Sequence, residues 1–374
     1  MTAHTGMAGA GVDERILVTG LGGAVGTALA ARLPALGGSA ELVGVFSGER
    51  SRDRFLATAD PALTAILRAV VCDLTDETAT RRLADELGGC ERALVVHAAA
   101  NTAWTLALPE AVRANVVATR NVSELARATA RRARLIYVSS AFTHTTDWIY
   151  RNSYEESKAL AERMLRVDYP DLATSVFSCS LVVGDSGTGA ITRFHGIYPL
   201  IAAIERFDLP VVPGEAANRI DIVPVDWVAD ELLGLMVDVR AGATPRDVVA
   251  AAGDAAPTLT ELVSGVVAAL NRNRALRGTA ALGPASVLGL RQFDFLRRSL
   301  TVWRDGARGV PDLRLLDRLI ASYRPYLRDG HARAPFGVSR PAPSYLDYLD
   351  PVVTYWLSTT VPPARREIAV PATA

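Results

Sequence analysis

Three side chains could together perform acid–base chemistry on a carbonyl group: Ser140, Tyr154 and Lys158. Tyr154 and Lys158 are four residues apart in a helical pattern, so their side chains lie on the same helix face. A phenol with a pKa of about 10 exchanges protons poorly at neutral pH, but a neighbouring ammonium group favours the phenolate. Ser140 follows a β-branched run, where its hydroxyl could donate to a substrate oxygen. This set of residues predicts proton transfer at a carbonyl oxygen.

Lys158 is the only lysine in the chain, and every other one of the 40 basic residues is an arginine. This bias indicates that arginine stands wherever a positive charge suffices. An ammonium group is a compact charge with a tunable pKa, which a guanidinium group is not. We therefore expect Lys158 to do work that arginine cannot do. The alternative is an exposed helical pair without function.

A glycine-rich segment follows the first strand pattern and reads Thr19-Gly20-Leu21-Gly22-Gly23-Ala24-Val25-Gly26. Glycines let the backbone approach a pyrophosphate, and free N–H groups at a helix N-terminus bind it. A helical pattern begins at once, so we favour a dinucleotide site over a glycine-rich turn without a ligand.

The end of the second strand bears on the choice between NAD and NADP. That strand ends without a carboxylate, and Ser47, Arg50 and Arg52 follow it. Arginine pairs with a 2′-phosphate, so we expect NADP, with NAD the less favoured cofactor. Two solvated loop arginines would give the same pattern.

Short apolar runs alternate with helical patterns from residue 15 onward. The runs cover 16–19, 42–46, 69–72, 93–97, 135–139 and 174–179, and helices are predicted at 24–33, 109–131 and 154–167. This alternation indicates an α/β fold, a Rossmann-type doubly wound parallel sheet covered on both faces. A strand at 220–223, a helix from Asp226, a strand at 247–251 and a capped helix at 259–270 follow. Further helices are predicted at 286–303 and 313–327.

The pattern also predicts a smaller, mostly helical lobe beside the sheet. We expect a flexible N-terminal tail at 1–13, a dinucleotide-binding domain at 14–184, a substrate-lobe insertion at 185–218, a return to the dinucleotide-binding domain at 219–256, and a C-terminal helical substrate lobe at 257–374.

The composition argues against several other classes of protein. The 374 residues carry 40 acidic and 40 basic side chains, which disfavours a nucleic-acid partner. No apolar run reaches the roughly 18 residues of a membrane span, and the N-terminus lacks a secretory signal pattern. The three cysteines and five histidines show neither a disulfide framework nor metal-ligand spacing. We expect a cytoplasmic protein without a metal ion, and oligomerisation stays open.

The motif order resembles the extended branch of the short-chain dehydrogenase/reductase superfamily over about residues 15–260. Besides the glycine loop, Ser139-Ser140 and Tyr154-x-x-x-Lys158, it includes Cys72-Asp73-Leu74, His97-Ala98-Ala99-Ala100 and Asn115 within Arg-Ala-Asn-Val-Val. The resemblance implies that Ser140, Tyr154 and Lys158 are catalytic and that Asn115 helps to hold a proton-relay water. It implies that the cofactor is bound by Thr19, Gly20, Gly22, Gly23, Ala24, Val25, Gly26, Ser47, Arg50, Arg52, Asp73, Leu74, Ala98, Ala99, Ala100, Ser180 and Val182.

Within that branch, three features look most like the thioester reductases and the male-sterility-type fatty acyl-CoA reductases. They are the loop after His97 with Trp104, the segment Arg219-Ile-Asp221-Ile-Val-Pro224-Val-Asp226-Trp-Val228, and residues 248–262. Tyr323-Arg-Pro-Tyr326-Leu327 is similar to a late segment of the fatty acyl reductases. The alternative role of Asp226 is that of a helix N-cap, which is compatible with the resemblance.

This resemblance implies an activity and a substrate class. We expect NADPH-dependent reduction of an acyl thioester, on CoA or on an acyl carrier protein, to an aldehyde or alcohol, with Tyr154 as the acid. Trp104, Phe142 and His144 are the predicted substrate contacts.

This sequence differs from the related enzymes in two respects, so other activities stay possible alternatives. Ser178-Cys179 stands where related enzymes usually have Arg-Pro, and the gap between Ser140 and Tyr154 is short for an enzyme of nucleotide-linked sugars. A sugar-nucleotide epimerase or dehydratase and a hydroxysteroid-type dehydrogenase are the alternatives. A non-catalytic dinucleotide-binding protein is a remote one.

Overall fold

A seven-stranded parallel sheet organises the structure, a computed structural model that describes residues 12–144, 149–295, 326 and 338–360. The strands in chain order are β1 (Glu14–Thr19), β2 (Glu41–Phe46), β3 (Leu67–Val71), β4 (Cys90–His97), β5 (Ala130–Ser140), β6 (Ala173–Cys179), β7 (Leu181–Val183), β8 (Val211–Pro213), β9 (Ile222–Pro224), β10 (Val248–Ala250) and β11 (Ser286–Leu288). The large sheet has the order β10-β6-β5-β4-β1-β2-β3, and β7 pairs with β9 and β8 with β11.

The strand order reverses between β1 and β4, where successive crossovers lead to opposite sides. In open parallel sheets, ligands bind at the carboxyl ends of the strands beside such a reversal. The predicted Rossmann-type sheet is therefore confirmed, and its binding crevice is expected at the ends of β1 and β4.

Helices cover the sheet and fill the second part of the chain. They are α1 (Ala24–Ala30), α2 (Glu49–Leu56), α3 (Pro61–Thr64), α4 (Glu77–Leu87), α5 (Leu108–Val112), α6 (Ala118–Thr129), α7 (Ser153–Asp168), α8 (Tyr198–Phe207), α9 (Val225–Arg240), α10 (Leu259–Leu276) and α11 (Tyr345–Thr360). Side-chain caps begin several of them: Asn152 caps α7, and Thr258 forms the predicted capping box with Glu261 at α10. None of the helices in these ranges is both long and apolar enough to cross a membrane.

The central strands are apolar on both faces because each face packs against helices. Along β1, Ile16 and Val18 pack in a core with residues of α1 and α9, whereas Leu17 packs in a core with residues of α4, α6 and α7. Alternate side chains of a strand point to opposite faces, so the continuous apolar runs in the sequence reflect two buried faces.

A third hydrophobic core lies outside the sheet. It joins α8, α10 and α11 with β9, through residues such as Ile201, Val266 and Trp356. The Tyr348 hydroxyl of α11 donates to the carbonyl oxygen of Ile222 in β9 at 2.8 Å. The chain that follows the sheet is thereby attached to the strand that precedes α9.

Two predicted helices differ from the structure. The pattern at 109–131 forms one continuous helical run, α5, a π-helical turn Arg113–Val117 and α6, but the run ends at Thr129 because β5 begins at Ala130. The pattern at 286–303 begins with the strand Ser286–Leu288, because these residues pair with Val211–Pro213; helix follows at 290–295. A short apolar run does not distinguish strand from helix by period alone. The rest of that pattern, and 313–327 except Tyr326, lie outside the described residues.

Candidate active site

A cleft of about 490 Å³ opens at the carboxyl ends of β1, β4, β5 and β6. The helix α7 forms another wall and contributes Tyr154 and Lys158. The predicted residues that line the cleft are Gly20, Gly23, Ala24, Val25, Gly26, Ala98, Ala100, Trp104, Ser140, Phe142, Tyr154, Lys158, Ser180 and Val182. The fold therefore brings the glycine loop and the three acid–base side chains to one place.

The glycine loop packs so tightly that side chains are excluded. Gly20 has a φ of 81°, and a Cβ atom there would lie 2.5 Å from the Ala99 nitrogen. A Cβ atom at Gly26 would lie 2.0 Å from the Gly20 carbonyl oxygen. Gly23 is the N-cap of α1 and provides no side-chain cap for the first-turn N–H groups. Small residues around uncapped N–H groups fit the pyrophosphate of a dinucleotide.

Lys158 is buried beside the end of β5. Its Nζ atom donates to the carbonyl oxygen of Val138 at 2.5 Å and lies 4.3 Å from the centre of the Tyr137 ring. Burial lowers the pKa of Lys158 to about 8, and the side chains of Cys179 and Glu162 act in the opposite direction. The amine is thus held in a place where its protonation changes near physiological pH.

Tyr154 is half-buried next to Ser140. Burial raises the pKa of Tyr154 well above 10, the Cys179 and Glu155 side chains raise it further, and the hydrogen bond with Ser140 lowers it. The expectation that Lys158 lowers this pKa is not met in the chain alone, because burial outweighs the hydrogen bond. Tyr154 is therefore a protonated phenol at neutral pH, the form that a proton donor needs.

Asn115 and Thr19 lie behind the cleft and hold its loops. Asn115 sits in the π-helical turn, where its Nδ2 atom donates to the Ser157 hydroxyl at 2.8 Å and its Oδ1 atom accepts from the Asn101 nitrogen at 2.8 Å. The Thr19 hydroxyl accepts from the Ala99 nitrogen at 3.1 Å. Asn115 thus joins the loop after β4 to α7, and Thr19 joins the same loop to β1.

Other predicted cofactor residues lie outside the cleft lining: Gly22, Ser47, Arg50, Arg52, Asp73, Leu74 and Ala99. Ser47 and Arg50 are exposed, and Arg52 donates to its neighbour Asp53 at 2.8 Å. Asp73 accepts from the nitrogen and hydroxyl of Thr75 within one turn.

His144, a predicted substrate contact, lines a second cavity together with Glu162 and Arg163. It therefore does not share the cleft with Trp104 and Phe142, the other two predicted substrate contacts.

The two aspartates of the predicted signature connect chain segments. Asp221 accepts from the nitrogens of Ala252 and Gly253 at 2.9 and 2.8 Å, after β10. Asp226 accepts from the nitrogen and hydroxyl of Ser186 at 2.8 and 2.6 Å. The alternative that Asp226 caps a helix is wrong: α9 begins at Val225, one residue earlier, and its N-cap is Pro224.

Among the cleft residues that were not predicted as site residues, three have ionisable side chains: Cys179, Arg193 and His195. Burial raises the pKa of the Cys179 thiol to about 11, so this group is neutral and weakly nucleophilic at pH 7. Its place at the end of β6, where the sequence departs from related enzymes, was the only signal. Arg193 and His195 lie in a stretch without periodicity, so no pattern indicated them.

The cleft lining carries positive charge. Lys158 and Arg193 carry that charge, and no carboxylate lines the cleft among the residues that the structure describes. Partial burial, and then the charge of Arg193, lower the pKa of His195. No group of three or more metal-ligating side chains occurs in the same described ranges.

The seven-stranded sheet and the glycine loop at the end of its first strand define the class by fold: a Rossmann-type α/β protein. Residues 76–149 and 143–232 match the model of the family described as "Male sterility protein". A curated relative, the fatty acyl-CoA reductase wat of Drosophila melanogaster, is 25% identical over 39% of this chain. The match spans 36% of that relative's length. These findings confirm the predicted resemblance and agree with the predicted class, an NAD(P)-dependent oxidoreductase.

Solved structures share the fold at low identity. The terminal R domain from the myxalamid PKS-NRPS biosynthetic pathway has a TM-score of 0.66 and 18% identity over 94% of this chain and 92% of its own. A thiolation-reductase di-domain from an archaeal non-ribosomal peptide synthetase has a TM-score of 0.62 and 16% identity, over 92% of this chain and 75% of its own. UDP-glucuronic acid 4-epimerase from Bacillus cereus, in complex with NAD, has a TM-score of 0.58 and 13% identity, over 92% of this chain and 99% of its own. These likenesses show the fold alone.

Proposed function

We propose that this chain is an NADPH-dependent reductase of acyl thioesters carried on CoA or on an acyl carrier protein. The observation that carries the proposal is the single cleft in which the glycine loop meets Ser140, Tyr154 and Lys158. The family match and the acyl-CoA reductase relative support the oxidoreductase class. The thiolation-reductase and R-domain likenesses make a carrier-bound substrate worth testing.

The residues of the cleft would divide the work. The glycine loop and the first turn of α1 would hold the pyrophosphate, and the bound dinucleotide would supply the hydride. The Ser140 hydroxyl would donate to the substrate carbonyl oxygen, and Tyr154, protonated because its pKa is raised, would give that oxygen a proton. The product of a thioester would be a hemithioacetal, which collapses to an aldehyde and a thiol. Arg50 and Arg52 remain the proposed contacts of the 2′-phosphate.

The positive cleft favours a substrate with an anionic arm. Arg193 and His195 are exposed on its rim, and arginine pairs well with phosphate groups. The phosphates of CoA and of a pantetheine arm have this chemistry. We assign the binding of that phosphate to Arg193.

Turnover of a substrate panel tests the reaction. Purified protein is mixed with NADPH or NADH and with acyl-CoA, acyl-carrier and free aldehyde substrates, and loss of the reduced nicotinamide absorbance is recorded. We expect consumption with a thioester, and a loss of about a hundredfold or more in Tyr154→Phe, which removes the proton donor. If no substrate of the panel causes consumption of the reduced nicotinamide, the thioester reductase proposal is contradicted. Tightly held NAD in the purified protein would favour the epimerase alternative.

The proposed contact between Arg193 and the phosphate of the substrate is tested separately. Arg193→Gln should raise KM for acyl-CoA about tenfold, since a charge-assisted pair contributes about 1.5–3 kcal/mol, and should leave KM for a small uncharged aldehyde unchanged. Arg82→Gln, on the exposed side of α4, is the matched control. Equal effects on both substrates would contradict the assignment of Arg193.

A further inference from the structure

Tyr326 comes from the C-terminal third of the chain and is buried against the start of α7. Its hydroxyl donates to the Oε1 atom of Glu155 at 2.6 Å and accepts from the Nδ2 atom of Asn152 at 2.6 Å. Asn152 is the N-cap of α7, and Glu155 directly follows Tyr154 in the first turn. Burial, followed by the charge of Glu155, raises the pKa of Tyr326, so its hydroxyl stays protonated and donates.

The Tyr326 ring supports one wall of the cleft. Its centre lies 4.6 Å from that of Trp104 and 6.0 Å from that of Phe142, with an edge-on arrangement to Phe142. The Arg151 guanidinium carbon lies 4.2 Å from the Tyr326 ring centre and 5.1 Å from that of Phe142. Trp104 and Phe142 line the cleft, whereas Tyr326 does not. Aromatic and cation–π contacts of this kind hold rings in defined orientations.

The same cluster contains a buried ion pair beside the proposed proton donor. The side chains of Arg151 and Glu155 are 4% and 0% exposed, and their charged groups approach to 3.0 Å. A buried carboxylate is costly unless donors surround it, and Glu155 receives donors from Arg151 and from Tyr326. Its charge is also one of the influences that raise the pKa of Tyr154.

We propose that Tyr326 is a positioning residue for Tyr154: it seats the first turn of α7 and holds the Trp104–Phe142 wall of the cleft. This inference rests on the proposed reductase function for its catalytic readout. The groups that face Tyr154 are Cys179 from β6, Ser140 from β5 and Glu155 from α7. The donors to the Glu155 carboxylate are Arg151 and Tyr326. Tyr326 therefore acts on Tyr154 through Glu155.

A pair of variants tests this role through kcat and KM, measured separately near pH 7, where Tyr154 is protonated. Tyr326→Phe keeps the ring and removes the hydroxyl that donates to Glu155, so the first turn of α7 is held less firmly. We expect kcat to fall about tenfold, because the proton donor is misplaced, while KM for NADPH changes little. Glu155→Gln removes the charge from the same contact and should also lower kcat. A role confined to stability would leave kcat of the folded protein unchanged.

A matched control separates positioning from loss of a buried hydrogen bond. Tyr348→Phe removes a buried tyrosine hydroxyl whose partner is the Ile222 carbonyl oxygen, and neither of these residues lines the cleft. It should lower stability without lowering kcat. If Tyr348→Phe and Tyr326→Phe lower kcat equally, or if neither Tyr326→Phe nor Glu155→Gln lowers it, the inference is overturned.

A second readout does not need turnover. In protein labelled with 5-fluorotryptophan, the Trp104 signal is assigned by Trp104→Phe. It should shift in Tyr326→Ala, which removes the ring packed against Trp104, and stay in place in Tyr348→Phe. An unchanged Trp104 signal would overturn the inference. Failure of the proposed function would look different: no substrate would be reduced, while the Trp104 signal would still respond to Tyr326→Ala.

Discussion

The single lysine makes one protonation equilibrium directly measurable. In protein grown with labelled lysine, NMR should show one side-chain signal, titrating near pH 8 because burial lowers the pKa of Lys158 to about 8. Unfolding in urea should return it to about 10.5. Between these values the unfolded chain binds more protons than the folded chain, so this group makes stability rise with pH over that window. A folded-state midpoint near 10.5 would contradict the burial of Lys158.

Replacement of this amine by a guanidinium group tests why lysine is retained. Lys158→Arg keeps a positive charge but places a larger planar group where Nζ lies 2.5 Å from Val138 O. We expect reductase activity to fall about a hundredfold or more while the protein still folds, because the shape and the tunable pKa are lost. Turnover and far-UV circular dichroism measure the two effects.

The control for that variant is Arg163→Lys, which places a lysine on the exposed side of the same helix. It should behave like the wild type. Wild-type turnover in Lys158→Arg would refute the argument from the lone lysine.

At the scale of residues, types and spacing predicted Ser140, Tyr154 and Lys158. The direction in which the pKa of Tyr154 shifts depended on burial, which a sequence does not display.

At the scale of elements, the junction of β1 and α1 depends on the absence of side chains. Gly26→Ala would place a Cβ atom 2.0 Å from the Gly20 carbonyl oxygen, so the loop or the helix must move. We expect the affinity for NADPH, measured by calorimetry, to fall at least about tenfold, because the loop backbone could no longer approach the pyrophosphate.

Gly234→Ala in α9 is the matched control, because a Cβ atom there meets nothing within 4 Å. Alanine favours a helix by up to about 1 kcal/mol over glycine, so stability should rise and NADPH binding should not change. Unchanged NADPH affinity in Gly26→Ala would contradict the inference that the loop has no room for a side chain.

The alternation of strands and helices was predictable from the local period of apolar residues. The strand β11 was not predictable, since only its partner β8 distinguishes it from a helical turn.

At the scale of the whole molecule, α11 is attached to the β7–β9 region by a few buried contacts. Tyr348→Phe deletes the hydroxyl that donates to Ile222 O at 2.8 Å and leaves the ring in place. The free energy of unfolding, measured in urea, should fall by about 1 kcal/mol, the usual net contribution of such a bond. Tyr345→Phe, in the same helix but half-buried, should change it by much less. Equal losses would mean that this contact does not hold α11.

The sequence by itself determined the alternating α/β order, the glycine loop and the succession Ser140, Tyr154, Lys158, because these signals are local: a period of two or 3.6, a glycine spacing, or one turn of helix. Only the tertiary structure decided that Tyr326 binds Glu155, 171 residues away. The same is true of Arg193 and His195 in the cleft. Contacts between distant residues depend on the path of the whole chain and on which surfaces it buries, and no local pattern encodes that path.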